Sequence, residues 1–468
     1  MRLYNTLSGT IEEFIPINPE YVGIYACGPT VYDYPHIGNL RTFTCVDILR
    51  RTLEYFSYKV KLIINITDVD DKIIKAIGQK GVSLKEYTSV YERYFFESIQ
   101  RLNIKPAYYY PRATEHIPEM VEMIKILLEK GIAYKAEDGS IYFSITKFPE
   151  YGKLSKISKS SLKVGARVEV DQYEKDDPAD FALWKAYDKE DGGVFWDCEI
   201  GKGRPGWHIE CSAMNRKYLG QPFDIHAGGI DLIFPHHENE IAQSEAAYQQ
   251  KLANYWFHVN HLLVENQKMS KSLNNIITIK DIPNPLSLRL LYLQTHYRNK
   301  LNFTFENLKG SENALNTLKA FVNTLIDIKN YYQHETTEYV DPQIKTIGQK
   351  FIDNFENSLR EDLNTPKAIA SLFDLSNEFF SLLNKNPKLF RYGEASYLLD
   401  LVKKADSVFG LDLDNVVPIP QDILDLINQR RKAREEKNYQ LADQIRQTIN
   451  NMGYILEDTP WGTRCRKI

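Results

Sequence analysis

The chain has 468 residues, enough for roughly three domains with large buried cores. Charged residues are 26% and hydrophobic ones 43%, which excludes a wholly disordered, collagenous or disulfide-scaffold protein. The 58 Lys/Arg against 62 Asp/Glu leave a net charge of −4, which excludes a uniformly basic binder but allows a local basic patch.

The N-terminal MRLYNTLSGTIEEF carries polar or acidic residues every few positions, unlike the continuous apolar core of a secretory signal. No run approaches the roughly 18 apolar residues of a membrane helix. Both readings predict a cytoplasmic protein. Its five cysteines are sparse and odd in number, which predicts reduced thiols or metal ligands rather than bridges.

Tyr21 to Cys27 is a short apolar and aromatic run, read as a buried strand ended by Gly28-Pro29. Leu40, Phe43, Val46, Leu49, Leu53 and Phe56 then recur at helical spacing, and Val60 to Ile66 reads as a second strand. Strand, helix, strand predicts a parallel sheet with its ligands at the strand C-terminal ends. From about residue 110 to 205, turns and charge predict an insertion with short strands of its own. The α/β pattern resumes at Trp207, through the strand FDIHAGG and a helix near Pro235–Tyr248. After about residue 305 the pattern predicts a helical bundle. Pro418 and Pro420 mark a linker, and the tail from Arg430 has nine Lys/Arg against five Asp/Glu. Leu441, Ile445 and Ile449 form an apolar stripe there, expected in the core.

Three segments carry chemistry. His36-Ile37-Gly38 opens a helix after the first strand. A helix N-terminus offers free N–H groups and a positive dipole end to phosphates. Lys268-Met269-Ser270-Lys271-Ser272 is a polar, basic loop that could close over a triphosphate, with Lys271 neutralising developing charge. Cys27, Cys211, His236 and Glu240 suit zinc, because His236 and Glu240 stand four residues apart on the expected helix. His237 is the rival imidazole: its i+4 neighbour, Ile241, cannot coordinate, but it could pair with Glu240. Gly201-x-Gly203-x-x-Gly206 matches a dinucleotide fingerprint by letter only, and Pro205 argues against it. Asp68, Asp70 and Asp71 are read as acidic residues opening a helix.

YACGPTVYDYPHIGN, NITDVDDKI, GWHIECSAM, FDIHAGGIDLIFPHHENEIAQSEA and KMSKS together resemble the cysteinyl-tRNA synthetase family of class I aminoacyl-tRNA synthetases. The resemblance runs over essentially the whole chain. It implies a Rossmann-like α/β catalytic domain with a connective insertion, then an α-helical bundle and a small C-terminal domain. It implies a zinc held by Cys27, Cys211, His236 and Glu240 that takes the substrate thiolate. Four protein ligands usually mark a closed structural site, so that role requires a fifth ligand or a loosened carboxylate. It implies ATP contacts from His36, Gly38, Asn39 and Lys271, with Lys268 a lesser catalytic candidate and Mg2+ accompanying ATP. Gly28, Thr67 and Trp207 match positions lining the amino-acid pocket. The implied partners are L-cysteine, ATP and the acceptor stem and anticodon of cysteine tRNA, for a monomer with no membrane contact. Asn39 stands where the family signature commonly has a second His, and His226-Ala227-Gly228-Gly229 where it has His-Gly-Gly-Gly.

The expected division is 1–119 and 206–255 for the two catalytic halves and 120–205 for the insertion. The lysine-loop and stem-contact region is 256–305, the tRNA-binding bundle 306–415, and the anticodon-recognition domain 416–468. Trp461 is read as stacking on a base or capping that last domain. The long segment after Phe305 argues against a paralogue that acylates a small amine without the tail. Retained His36, Lys268 and Lys271 argue against a non-catalytic binder.

Overall fold

The computed structural model describes residues 1–157, 179–270, 272–335, 339–415, 419–459 and 462–467. Lys271 and Trp461 therefore lie outside the described residues. The chain forms two compact units: Met1–Glu312 with Ser358–Pro366, and Asn313–Asn357 with Lys367–Ile468.

In the first unit, β1 (Arg2–Asn5) and β2 (Thr10–Glu13) form a hairpin. β3 (Val22–Ala26), α1 (Ile37–Tyr55) and β4 (Val60–Ile64) form the expected strand–helix–strand. The helices α2 (Asp71–Lys80), α3 (Leu84–Arg101) and α4 (Ile117–Glu129) lead into the insertion. There β5 (Ala133–Lys135), β6 (Ile141–Phe143), β7 (Phe181–Ala186) and β8 (Gly203–Pro205) make an antiparallel sheet, as anticipated. The glycine-rich 201–206 segment thus belongs to this sheet, which excludes the dinucleotide reading. After α5 (Trp207–Leu219), β9 (Phe223–Gly229), α6 (Glu238–Tyr248) and β10 (Ala253–Val259) complete the catalytic sheet. Its order is β10-β9-β3-β4, all parallel. The chain reverses its direction of travel across the sheet between β3 and β9, and such a switch point opens a ligand crevice at the strand C-terminal ends. Next come β11 (Leu262–Val264), β12 (Gln267–Lys268), α7 (Pro285–Leu293) and β13 (Leu301–Phe303).

α1 buries more than its apolar stripe. Arg41 is fully buried and donates to the carbonyls of Asn260, His261, His296 and Asn299 at 2.8–3.1 Å. Asp47 accepts from Arg51 at 2.7 Å and from Arg289 of α7 at 2.6 Å, and all three are buried. These polar anchors tie α1, and so the His36 end of the cleft, to the segment after the lysine loop. Removing one partner of a buried ion group strands the others without compensation. Asp47→Ala is expected to destabilise the protein by about 3–5 kcal/mol, read as a lowered thermal midpoint.

The second unit is helical: most of α8 (Phe305–Tyr331), then α9 (Pro342–Arg360), α10 (Thr365–Lys385) and α11 (Tyr392–Phe409). Phe321 meets Phe379 at 5.0 Å and Phe355 meets Phe409 at 5.4 Å in its core. α12 (Gln421–Glu435), α13 (Tyr439–Asn451) and the hairpin β14 (Tyr454–Thr459) and β15 (Gly462–Lys467) follow. Ile423, Ile445, Ile449 and Leu456 make their small core. Leu441, expected in that core, is instead 42% exposed. It sits in the first turn of α13, where Asn438 caps its N–H, and the buried position one residue on is filled by Ala442. Among the described residues, no helix is long and apolar enough to cross a membrane.

Candidate functional site

The C-terminal ends of β3 and β9 build the floor of the site. Cys27 follows β3 directly, and its N–H donates to Ala227 of β9 at 3.1 Å. Gly28 comes next because nothing larger fits: an added Cβ would lie 1.6 Å from the Asn65 carbonyl oxygen. Cys211 stands in the second turn of α5. His236 and Glu240 reach the site from the start of the helix that the sequence predicted. Phe234 is extended (φ −139°, ψ 131°) and is the one non-helical residue within 233–237, so the helical backbone that continues as α6 opens at Pro235. The residue before a proline is pushed out of the helical region, which sets that boundary.

The four donors converge. One ligand atom from each of Cys27, Cys211, His236 and Glu240 lies within 4.8 Å of the others, and all four residues are buried. The two sulfurs are 4.0 Å apart, Cys27 Sγ is 3.6 Å from Glu240 Oε1, and His236 Nε2 is 3.1 Å from the same oxygen. A second, overlapping set joins Cys27 and Glu240 with His226 and His237. His237 Nε2 lies 3.2 Å from Cys27 Sγ, and His226 Nε2 donates to Glu240 Oε2 at 2.8 Å.

The charges are organised by these contacts. Burial alone would raise the Glu240 carboxyl, but His226 and His236 hold it at about 2. Burial would lower His236, but Cys211 and Glu240 bring it up to about 10. Burial would lift Cys211, but the Cys27 thiol and His236 hold it at about 6, while Cys27 is pushed well up by burial, Cys211 and Glu240. One thiol is thus poised to be a thiolate, beside an ionised carboxylate. Two soft donors, an imidazole and a carboxylate in a buried cluster fit zinc.

Outer contacts aim the imidazoles. His236 Nδ1 meets His208 Nδ1 at 2.9 Å. His237 Nδ1 meets His258 Nε2 at 2.8 Å, and His258 Nδ1 meets the Thr6 hydroxyl at 2.8 Å. A partner on the second ring nitrogen fixes orientation and tautomer of a ligating histidine. Trp207 walls the rim, 39% exposed, with its ring 4.3 Å from that of His236. Thr67 is buried and accepts from Asn65 at 3.1 Å, while Asn65 Oδ1 accepts from the Gly28 N–H at 2.8 Å.

At the other end of the crevice, His36 caps α1. Its Nδ1 accepts from the Asn39 N–H at 3.1 Å, and Asn39 Oδ1 accepts from the His36 N–H at 3.2 Å. Burial pushes His36 below its ordinary value, so the ring is neutral and its proton sits on Nε2, free to be donated. The Asn39 amide and side chain serve this cap. A Cβ on Gly38 would lie 2.9 Å from the Met269 methyl, so Met269 packs over the helix start. The Ile37 N–H donates to Ile277 at 2.9 Å, pinning the same two segments. Lys268 ends β12 and is exposed. Asp70 and Asp71 open α2 as expected, Asp70 capping it at the Lys72 N–H and Asp71 pairing with Lys185 and Arg204, whereas Asp68 lies outside that helix and accepts from Thr114. Cys45 packs in the core.

Residues 13–313 match the family model described as tRNA synthetases class I (C) catalytic domain, and residues 354–414 that of the DALR domain. The chain is 45% identical to the cysteine–tRNA ligase of Protochlamydia amoebophila (strain UWE25) over 100% of its own length and 98% of that protein. It is 46% identical to that of Chlamydia felis (strain Fe/C-56), with 100% and 98% covered. The chain belongs to the cysteine–tRNA ligase family. Members of this family are class I aminoacyl-tRNA synthetases, ATP-dependent ligases. Among solved structures, Mycobacterium tuberculosis methionyl-tRNA synthetase in complex with methionyl-adenylate superimposes with a TM-score of 0.65 at 13% identity, over 85% of this chain and 92% of that one. That likeness is one of fold.

For this ligase family member, the structure gathers the four predicted zinc donors at one point and sets His36, Gly38 and Asn39 at the other end of the crevice. Sequence reasoning missed His226, His208 and His258. The one legible trace was the alternation in FDIHAGG, which puts His226 and Gly228 on one face of β9.

Proposed function

We propose that the protein activates L-cysteine with ATP and passes the cysteinyl group to the 3′ end of cysteine tRNA. We propose further that Cys27, Cys211, His236 and Glu240 hold a zinc that selects the substrate thiol. The observation that carries this reading is the buried convergence of those four side chains. When bound, zinc supplies a soft Lewis acid that favours a thiolate over an alcohol.

The chain's own residues do the rest. Cys211, held near 6, enters the site as a thiolate, and Cys27 gives up its proton on ligation. The Glu240 carboxylate has its far oxygen anchored by His226, so its near oxygen has a fixed range of approach. Trp207, Thr67 and the Gly28 backbone bound the space for the amino acid. A cysteine carboxylate oxygen then forms a bond to the α-phosphorus as the bond to pyrophosphate breaks. His36 donates from Nε2 to the triphosphate, and Gly38 and Asn39 shape that end. Lys271, with Lys268 the lesser candidate, offsets the charge built up in the transition state, and Mg2+ accompanies ATP. In the second step a terminal ribose hydroxyl of the tRNA attacks the carbonyl and AMP leaves. No enzyme nucleophile is required. The bundle and the 416–468 segment are assigned to the tRNA body and anticodon, in a cytoplasmic monomer.

The test is amino-acid-dependent ATP–pyrophosphate exchange with cysteine and serine side by side. Strong exchange with cysteine and almost none with serine is expected, since shape alone separates such near-isosteres weakly. Exchange with neither, from folded and zinc-loaded protein, would favour a tRNA-binding protein without catalysis.

A further inference from the structure

Tyrosines and lysines alternate around the His36 end of α1, and the fold gathers them on one exposed face. Tyr34 lies two residues before His36 and is 41% exposed. Its ring meets Tyr94 edge-on at 4.5 Å and Tyr91 at 5.2 Å, both on α3, and Tyr91 continues to Tyr87 at 5.1 Å. Lys280 Nζ stands 4.6 Å over the Tyr34 ring and 4.5 Å over that of Tyr94. Lys80 stands 4.8 Å over Tyr87, and Lys72 stands 5.3 Å over Tyr32. The three lysines are exposed, whereas Tyr87 and Tyr94 are buried and root the patch in the core. Asp33 lies beside Tyr87, and Asp70 beside Lys72, as carboxylates in its midst.

The patch is fastened to the crevice on both sides. Arg101 of α3 donates to the carbonyls of Ile279 and Ile282, either side of Lys280, at 3.0 and 3.3 Å. The Tyr87 hydroxyl donates to the Tyr32 carbonyl at 2.8 Å, holding the loop before His36 against α3. A half-exposed ring under an ammonium group contributes at most about 1 kcal/mol to folding. It is the chemistry that receives single-stranded nucleic acid: bases stack on the ring and phosphates meet the lysines.

The ligase reading of the preceding section, on which this inference rests, requires the terminal ribose of a tRNA to enter this crevice. We propose that the unpaired 3′ end of the tRNA crosses the Tyr34–Lys280 face, with a base stacked on Tyr34 and its phosphates at Lys280, Lys72 and Lys80. Charge complementarity and the fixed position beside His36 both favour that occupant.

Two assays on the full-length enzyme separate this subsite from the chemistry, because pyrophosphate exchange needs no tRNA and aminoacylation does. Tyr34→Ala is expected to leave exchange within about twofold while kcat/KM for tRNA falls on the order of tenfold, and Tyr34→Phe to restore it. Lys280→Ala is expected to weaken tRNA use and to lower the slope of its salt dependence by about one. Unchanged tRNA kinetics in Tyr34→Ala would overturn the proposal. A parallel fall in exchange would also overturn it, by placing the base of ATP on the ring. Failure of the unsubstituted enzyme to charge tRNA at all would instead defeat the ligase reading itself.

Discussion

Cys211→Ser is expected to lose its metal and, with it, the ability to tell cysteine from serine. Cys211 is buried, 4.0 Å from Cys27 Sγ, and held at about 6 by its neighbours despite burial. A serine hydroxyl at that point keeps its proton and is a hard, weak donor for zinc. Three donors remain, and one of them, Cys27, must still be deprotonated from a raised value. Zinc content measured by elemental analysis should fall from about one per chain to near none, with affinity down by at least about a hundredfold. Cobalt substitution gives a readout independent of activity: the sulfur-to-metal absorption should drop by about half in any chain that still binds. The same measurement decides between the overlapping sets. His236→Ala should lose zinc, while His237→Ala should keep most of it, because the first set holds two thiols and the second only one. A Cys211→Ser protein with a full zinc complement and unchanged exchange would dispose of this assignment.

The legibility of this chain followed the range of its interactions. Local periodicity was enough for β3, α1 and β4, which the structure places within a few residues of the expected bounds. The spacing of His236 and Glu240 was enough for their pairing, because the helical backbone runs from Pro235 through both. What periodicity does not contain is which distant segments become neighbours. Arg41, Asp47 and Arg51 look like the solvent face of an amphipathic helix. They are buried because their partners come from elsewhere in the chain: the carbonyls after β10 and Arg289 from more than two hundred residues away, and the Asn103 carbonyl, for Arg51, from 52. The histidine shell is the same case. His226 comes from β9, His258 from β10 and His208 from α5, and only the strand order brings them to one point. Leu441 failed in the opposite sense. Its spacing fits the stripe, but the hairpin that closes the small core does not cover the first turn of α13.

That histidine shell makes the metal-free protein acid-labile. His237 and His258 are buried and His208 is half-buried. Burial pushes all three below the usual histidine value, His258 to about 3. Each is therefore neutral when folded and protonated when unfolded as the pH drops below about 6.5. In that window the unfolded chain binds more protons, so stability falls with falling pH, by about 1.4 kcal/mol per unit for each group. Glu210 opposes this. Its buried carboxyl is raised, chiefly by burial, and keeps a proton in the folded state that the unfolded chain releases above about 4.5. His236 and Glu240 are neutral in the comparison between about 6.5 and 4.5. His236, raised to about 10, gives all of its stability below its unfolded value, and Glu240, lowered to about 2, gives all of its own above. His36 and His296, also lowered chiefly by burial, act in the same sense as the shell, so the histidines outnumber Glu210 and unfolding takes up protons as the pH falls. The thermal midpoint of chelator-treated protein should therefore fall steeply between pH 6.5 and 5. His258→Gln, which keeps a hydrogen bond but cannot be protonated, should reduce the slope by about one proton. A midpoint that stays level across this range would mean that the shell is already open to water. Neutral His237 and His208 are also what hold Cys27 and His236 in place. The same acid limit should thus appear in metal retention, together with the protonation of Cys211 near 6.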